Sequence, residues 1–144
     1  MATLLIVDDD NFIRDTLHEL LSVSHECHTA DRAEQALAYL DIETYDAVLT
    51  DLSMPGLSGR EILKRIQAKH PATPVIVISG MSNEGEAKEL TDMGAFAYFA
   101  KPFKLEEIEA AVERAIARHQ ELVSVDQDGQ APQSNPPPDT DTSI

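Results

Sequence analysis

Leu4-Leu5-Ile6-Val7-Asp8-Asp9-Asp10 decides the fold: four consecutive apolar residues run straight into three acids. A run that is apolar on successive rather than alternate residues reads as a strand buried on both faces, the situation of a parallel sheet covered by helices. Runs of the same kind return at Ala47-Val48-Leu49-Thr50, Val75-Ile76-Val77-Ile78 and Ala95-Phe96-Ala97-Tyr98-Phe99-Ala100. A fifth candidate, His25-Glu26-Cys27-His28-Thr29-Ala30, is far more polar and suits the edge of a sheet.

Helical stripes fill the intervals. Ile13, Leu17, Leu20 and Leu21 form one, Ala33, Ala36, Leu37 and Leu40 a second, and Ile62, Leu63 and Ile66 a third. Ala87, Leu90 and Met93 give a weaker fourth, and Leu105, Ile108, Val112 and Ile116 a long fifth. Capping-box spacing at Asp31/Glu34, Ser58/Glu61 and Asn83/Glu86 predicts three helix starts, and Gly94 predicts the end of the fourth helix. Five β-α units with right-handed crossovers predict an α/β fold built on a doubly wound parallel sheet.

Bulk properties bound the function. The 144 residues, 42% hydrophobic, suit one domain with one core. The single cysteine, Cys27, excludes an internal disulfide, and neither a basic, apolar leader nor an apolar run of about 18 residues is present, so a cytoplasmic location and no membrane are expected. A formal charge of −15, from 26 acids against 11 bases, argues against direct nucleic-acid binding, which depends on Lys and Arg neutralising phosphates. No Lys or Arg follows Arg118, and prolines and aspartates accumulate from about Ser124, so the expected division is a domain over 1–121 and a disordered, acidic, Pro-rich tail or linker stub over 122–144.

Open α/β sheets bind ligands outside the carboxyl ends of their strands. The exits here carry Asp8, Asp9 and Asp10, then Asp51, then Ser79, then Lys101. Asp8, Asp9 and Asp51 would crowd into one cleft if the first and third strands are neighbours, and such crowding asks for a cation. Mg²⁺, a hard ion that takes one or two carboxylates and a phosphate oxygen, fits. A carboxylate is also a competent covalent nucleophile, and phosphoryl transfer needs mainly positioning and positive charge, which Mg²⁺ and Lys101 would supply while the Ser79 hydroxyl donates to a phosphoryl oxygen. Each residue has a plainer reading: acids at strand exits are usually solvated, a Lys before Pro is usually a turn, and Tyr98 could be core packing. The combination is what favours function.

Over roughly residues 3 to 120 the sequence resembles the receiver domain of bacterial two-component response regulators. The matching pieces are Leu5 to Asp10, Asp46 to Gly56 with Gly59, Val77-Ile78-Ser79-Gly80, and Gly94 to Phe103. The resemblance implies a flavodoxin-like sheet in the order 2-1-3-4-5 and a phosphorelay role, with Asp51 as phosphoacceptor and a sensor histidine kinase or histidine phosphotransfer protein as donor. It implies Asp9, Asp51 and the Ser53 backbone carbonyl as Mg²⁺ ligands, Asp8 acting largely through water, Lys101 as the phosphate-facing cation before a cis Pro102, and Ser79 with Tyr98 as the switch pair that changes the α4-β5-α5 face. The expected chain is a phosphoacceptor with at most weak autodephosphorylation rather than an enzyme, signalling by protein contact, with a phosphorylation-dependent dimer among its expected states. Ser79 in place of the commoner Thr, and Gly80 in place of Ala, depart from the family pattern without removing a required group.

Three rivals use the same topology. A haloacid-dehalogenase-type phosphatase would take Asp8 and Asp10 as a D-x-D motif, but Asn11-Phe12 follow in place of small β-branched residues. A flavin module needs a Ser/Thr/Gly-rich first loop, which Asp8-Asp9-Asp10 contradicts. A receiver-like scaffold without phosphorylation has no support while all five site residues are present. His25, Cys27 and His28 are expected in surface or structural roles, and Lys64, Arg65, Lys69 and His70 on a solvated face. Phe12, Phe103 and Leu105 are candidate partner contacts, or equally core.

Overall fold

The computed structural model describes residues 1–54, 58–80 and 84–128. Five strands and five helices alternate: β1 (Thr3–Val7), α1 (Asn11–Leu21), β2 (Glu26–Ala30), α2 (Ala33–Ile42), β3 (Ala47–Asp51), α3 (Gly59–Lys69), β4 (Val75–Ser79), α4 (Glu84–Asp92), β5 (Ala97–Ala100) and α5 (Leu105–Asp128). The strands form one parallel sheet in the order β2-β1-β3-β4-β5.

The uninterrupted apolar runs work as strands buried on both sides because the pleat sends alternate residues to opposite faces. Leu5, Val7, Val48, Val75 and Val77 join Leu37, Ile62, Ile66 and Leu90 in a core beneath α2, α3 and α4. Leu4, Ile6, Leu49, Ile76 and Ile78 join Leu17, Leu21, Ile108 and Val112 in a second core beneath α1 and α5. Each fully buried Leu or Ile contributes roughly 1.5–3 kcal/mol, so a register slip of one residue, which would exchange the two faces, is strongly disfavoured.

Polar β2 does lie at an edge. β5 departs from expectation: it is half-exposed along its length rather than buried on both faces, because it forms the opposite edge and has a strand on one side only. Leu105, expected in the α5 stripe, is exposed. α5 also runs to Asp128, past the boundary expected at 121, since Glu121 and Leu122 are good helix formers and no glycine intervenes before Gly129. Residues 129–144 of the expected tail lie outside the described residues.

The helix starts follow the capping pattern only in part. Ser58 is the N-cap of α3 but makes no side-chain cap hydrogen bond. α2 begins one residue later than the Asp31/Glu34 spacing suggested, with Arg32 at the cap, because the Asp31 N–H is taken by Gln35 Oε1 at 3.0 Å. Asn83 lies outside the described residues. A side-chain cap does form at Asp10, whose carboxylate accepts from the Phe12 and Ile13 N–H groups and starts α1. Gly94 ends α4 with φ +105°, a conformation that glycine adopts freely, while the Gly94 and Ala95 N–H groups close onto Thr91 and Leu90 carbonyls.

Candidate functional site

The carboxyl ends of β1 and β3 meet because those strands are paired, Val7 opposite Thr50. Asp8 leaves β1 almost wholly buried; its N–H donates to the Ala30 carbonyl at 3.1 Å and its Oδ1 accepts from the Asp10 N–H at 2.9 Å. Arg14 reaches back from α1 to the Asp8 carbonyl at 2.8 Å, so the turn is held on both sides. Asp51 closes β3, 5% exposed, and accepts from the Ser53 N–H at 3.4 Å. Gly59 locks the loop that follows: its N–H bonds to the Leu52 carbonyl at 3.0 Å, and a Cβ added to it would stand 2.4 Å from the Asp51 carbonyl oxygen. Only glycine allows that approach.

Lys101 arrives from the far edge. Its N–H is tied to the Ser79 carbonyl at 2.7 Å, aligning the exits of β4 and β5, and its Nζ lies 3.4 Å from both Asp8 Oδ2 and Asp51 Oδ2. The Lys101-Pro102 peptide is cis, as the resemblance implied. Asp9 is exposed, yet carboxylate oxygens of Asp8, Asp9 and Asp51 all lie within 4.8 Å of one another. Burial is the main cause that raises the Asp51 carboxyl to about 6, with the Asp8 charge adding to it and Lys101 opposing it. Burial likewise raises Asp8 above the ordinary carboxylate value, against the Asp10 N–H bond and Lys101. Lys101 holds its proton above its ordinary value: burial pulls the other way, but the Asp51 and Asp8 carboxylates outweigh it.

Among the described residues three carboxylates converge on one ammonium, an excess of negative charge at a cleft where Asp8 and Asp51 are buried and Asp9 is exposed. Trans oxygens of an octahedral shell about 2.1 Å in radius stand ~4.2 Å apart, so oxygen donors within 4.8 Å of one another are close enough for small side-chain shifts to bring them onto one small divalent cation. Carboxylates alone suit Mg²⁺, Ca²⁺ or Mn²⁺ rather than the softer transition metals, which call for nitrogen or sulfur ligands.

The chain matches the "Response regulator receiver domain" family over residues 4–113. It belongs to that family. Among relatives, DNA-binding transcriptional regulator NtrC of Salmonella typhimurium is 40% identical over 117 residues, 81% of this chain and 25% of NtrC, so this receiver domain spans about a quarter of that relative's length. A receiver domain from Clostridium thermocellum superimposes with a TM-score of 0.79 at 31% identity, over 85% of this chain and 99% of the other. NtrX from Brucella abortus, solved in complex with ADP, does so with a TM-score of 0.80 at 34% identity, over 87% of this chain and 29% of NtrX. These matches lend the phosphatase alternative no support.

Asp8, Asp9, Asp51, Ser79 and Lys101 lie at the carboxyl end of the sheet, while Tyr98 stands within β5 opposite Val77. Ser79 is buried at the end of β4 and Tyr98 is half-buried on β5. What sequence reasoning missed is the group between them: Glu86 of α4, assigned above to a helix cap, accepts from Ser79 Oγ at 2.9 Å and from Tyr98 OH at 2.5 Å. Arg60 was missed as well; its Nη2 bonds Glu89 Oε1 at 2.7 Å and lies 3.9 Å from Glu86 Oε2. A pattern that repeats along one helix carries no signal for contacts made between α3, α4, β4 and β5.

The residues assigned to minor roles sit elsewhere. His25 accepts from the Ala2 N–H and pairs with Glu113, while His28 lies between Tyr45 OH and Glu26. Glu26, His28 and Glu43 bring ligand atoms together on the β2 edge, without Cys27. Lys64, Arg65 and Lys69 are solvated, and His70 is partly so. Phe12, Phe103 and Leu105 line one apolar groove of about 200 Å³ beside Lys101, Phe12 being 77% exposed. Among the described residues no helix is long and apolar enough to cross a membrane.

Proposed function

We propose that this receiver domain accepts a phosphoryl group on Asp51 from a phosphohistidine of a sensor kinase or phosphotransfer protein. The observation that carries the reading is the convergence of Asp8, Asp9 and Asp51 within 4.8 Å, with Lys101 Nζ at 3.4 Å from two of them. An Asp51 carboxylate oxygen bonds to phosphorus as the P–N bond breaks, and the imidazole leaves with its electron pair and takes up a proton. Lys101, 3.4 Å from Asp51, would meet negative charge on the phosphoryl oxygens, and the buried Ser79 hydroxyl would donate to another. Mg²⁺, held by Asp9, Asp51 and the Ser53 backbone carbonyl with Asp8 acting through water, would supply further positive charge to those oxygens.

The message then passes through Ser79 and Tyr98 to the α4-β5-α5 face, which would dock a protein target or a second receiver. The domain acts in the cytoplasm as a stoichiometric acceptor rather than a turnover enzyme, its own autodephosphorylation being weak. DNA binding, named for NtrC, would reside in parts of such a protein beyond the receiver, since the excess of acids here opposes contact with phosphates.

The test is stoichiometry and metal dependence with acetyl phosphate as donor. Incorporation should rise to one phosphoryl group per chain in Mg²⁺ and stop in EDTA. Sustained release of many phosphates per chain per minute, or incorporation indifferent to EDTA, would sink the reading.

A further inference from the structure

We propose that Glu86 is a positioning residue that restrains the Ser79–Tyr98 pair in the unphosphorylated domain, so that phosphoryl transfer to Asp51 has to pull Ser79 away from it. The inference rests on Asp51 being the phosphoacceptor. It concerns a residue of α4 rather than the switch pair itself.

One carboxylate oxygen, Glu86 Oε1, accepts from two hydroxyls, Ser79 Oγ at 2.9 Å and Tyr98 OH at 2.5 Å. Hydrogen bonds to an ionised carboxylate are shorter and stronger than those between neutral groups. The Glu86 side chain is only 13% exposed, so water weakens them little. Arg60 reaches across from α3 to 3.9 Å from the other Glu86 oxygen and is itself anchored at 2.7 Å on Glu89, which keeps positive charge over this face of α4. Three elements, β4, β5 and α4, therefore meet on one carboxylate.

A serine hydroxyl carries one proton. While that proton is donated to Glu86 it cannot also be donated to an oxygen on Asp51. A phosphoryl dianion on Asp51 would thus compete with Glu86 for Ser79, and the two anions would repel. A cleft of about 290 Å³ bounded by Ser53, Ser58, Arg60, Ser79 and Glu86 leaves space for them to separate. When Ser79 turns to the phosphoryl group, Tyr98 loses a neighbour on the shared oxygen, and the restraint on β5 changes in the same step. Competition for the proton and repulsion act in the same direction: Glu86 slows phosphoryl acceptance.

The experiment uses the full chain with acetyl phosphate and Mg²⁺, following the initial rate by intact mass. Glu86→Ala should accept the phosphoryl group about tenfold faster than the parent, the size expected for losing one hydrogen bond to a charged acceptor. Glu86→Gln, which keeps the shape and an uncharged acceptor, should fall between them and covers the case in which the alanine variant folds poorly. Glu89→Ala, which breaks the Arg60 anchor but leaves Glu86 in place, should stay within about twofold of the parent rate. In the unphosphorylated protein the Tyr98 ring resonances should move in Glu86→Ala and not in Glu89→Ala, a readout that a purely stabilising role would not reproduce. Equal or slower rates in both Glu86 variants, with a parent that does accept phosphate, would overturn the proposal, as would equal acceleration by Glu89→Ala. A parent that accepts no phosphoryl group would instead overturn the reading of Asp51, and this proposal with it.

Discussion

Replacing Asp51 by Asn should stabilise the metal-free domain, and by an amount that grows with pH. In the folded protein the Asp51 carboxyl is pushed up to about 6 from an ordinary value of 3.8, chiefly by burial and then by Asp8. The folded state therefore binds this proton more tightly than the unfolded chain does, so the group's contribution is most favourable at low pH. That contribution is lost as pH rises from about 4 through 6. Above pH 7 the ionised carboxylate costs the fold at most about 3 kcal/mol, from a gap of about 2.2 in pKa at ~1.4 kcal/mol per pH unit. Asn cannot ionise, so the stability difference between Asp51→Asn and the parent should widen by about 2 kcal/mol between pH 4.5 and 7.5, the remainder being lost already below pH 4.5. For a domain of this size the change corresponds to roughly 6–8 °C in Tm. Asp8 is raised in the same direction and remains in both proteins, while Lys101 titrates above the window, so the difference reports Asp51 together with its coupling to Asp8. The chain has no Trp, which makes urea unfolding followed by far-ultraviolet circular dichroism in EDTA the natural assay. Parallel stability curves for the two proteins across this range would refute the argument that burial holds the Asp51 carboxyl above its ordinary value. Mg²⁺ should narrow the gap by stabilising the parent.

Other consequences follow from the same geometry. Lys101→Met removes the only ammonium within 4 Å of Asp8 and Asp51 among the described residues, and should slow phosphorylation by acetyl phosphate about a hundredfold or more while lowering Tm at pH 7. An unchanged rate would count against Lys101 meeting the phosphoryl oxygens. Gly59→Ala places a methyl 2.4 Å from the Asp51 carbonyl oxygen and 2.9 Å from Leu52 Cα, both backbone atoms, and should cost about 2–3 kcal/mol in urea unfolding. A cost below about 0.5 kcal/mol would show that the loop yields easily.

Much of this architecture was legible before any coordinates because its strands are hydrophobic without interruption. Runs such as Val75 to Ile78 leave little choice but a sheet covered on both sides, and a parallel sheet in turn collects its strand exits at one end. Asp8, Asp51, Ser79 and Lys101 could be grouped on that basis alone. The edges were half legible: polar β2 announced itself, but β5 did not, because Phe96, Tyr98 and Phe99 look like core residues until the strand is seen to lack a neighbour on one side. Local rules failed where tertiary contacts outbid them. Asp31 had the spacing of a cap, yet Gln35 takes its N–H. Asp10, read simply as one of three exit acids, proved to be the cap of α1. Glu86 was hidden for the same reason, since the value of its carboxylate depends on how α4 lies over β4 and β5.

Intact mass of the parent and of Asp51→Asn, each incubated with acetyl phosphate and Mg²⁺, tests the central claim most directly. The parent should gain the mass of one phosphoryl group and Asp51→Asn none. A parent that gains nothing, or a gain that survives Asp51→Asn, would contradict the assignment of Asp51 as the phosphoacceptor.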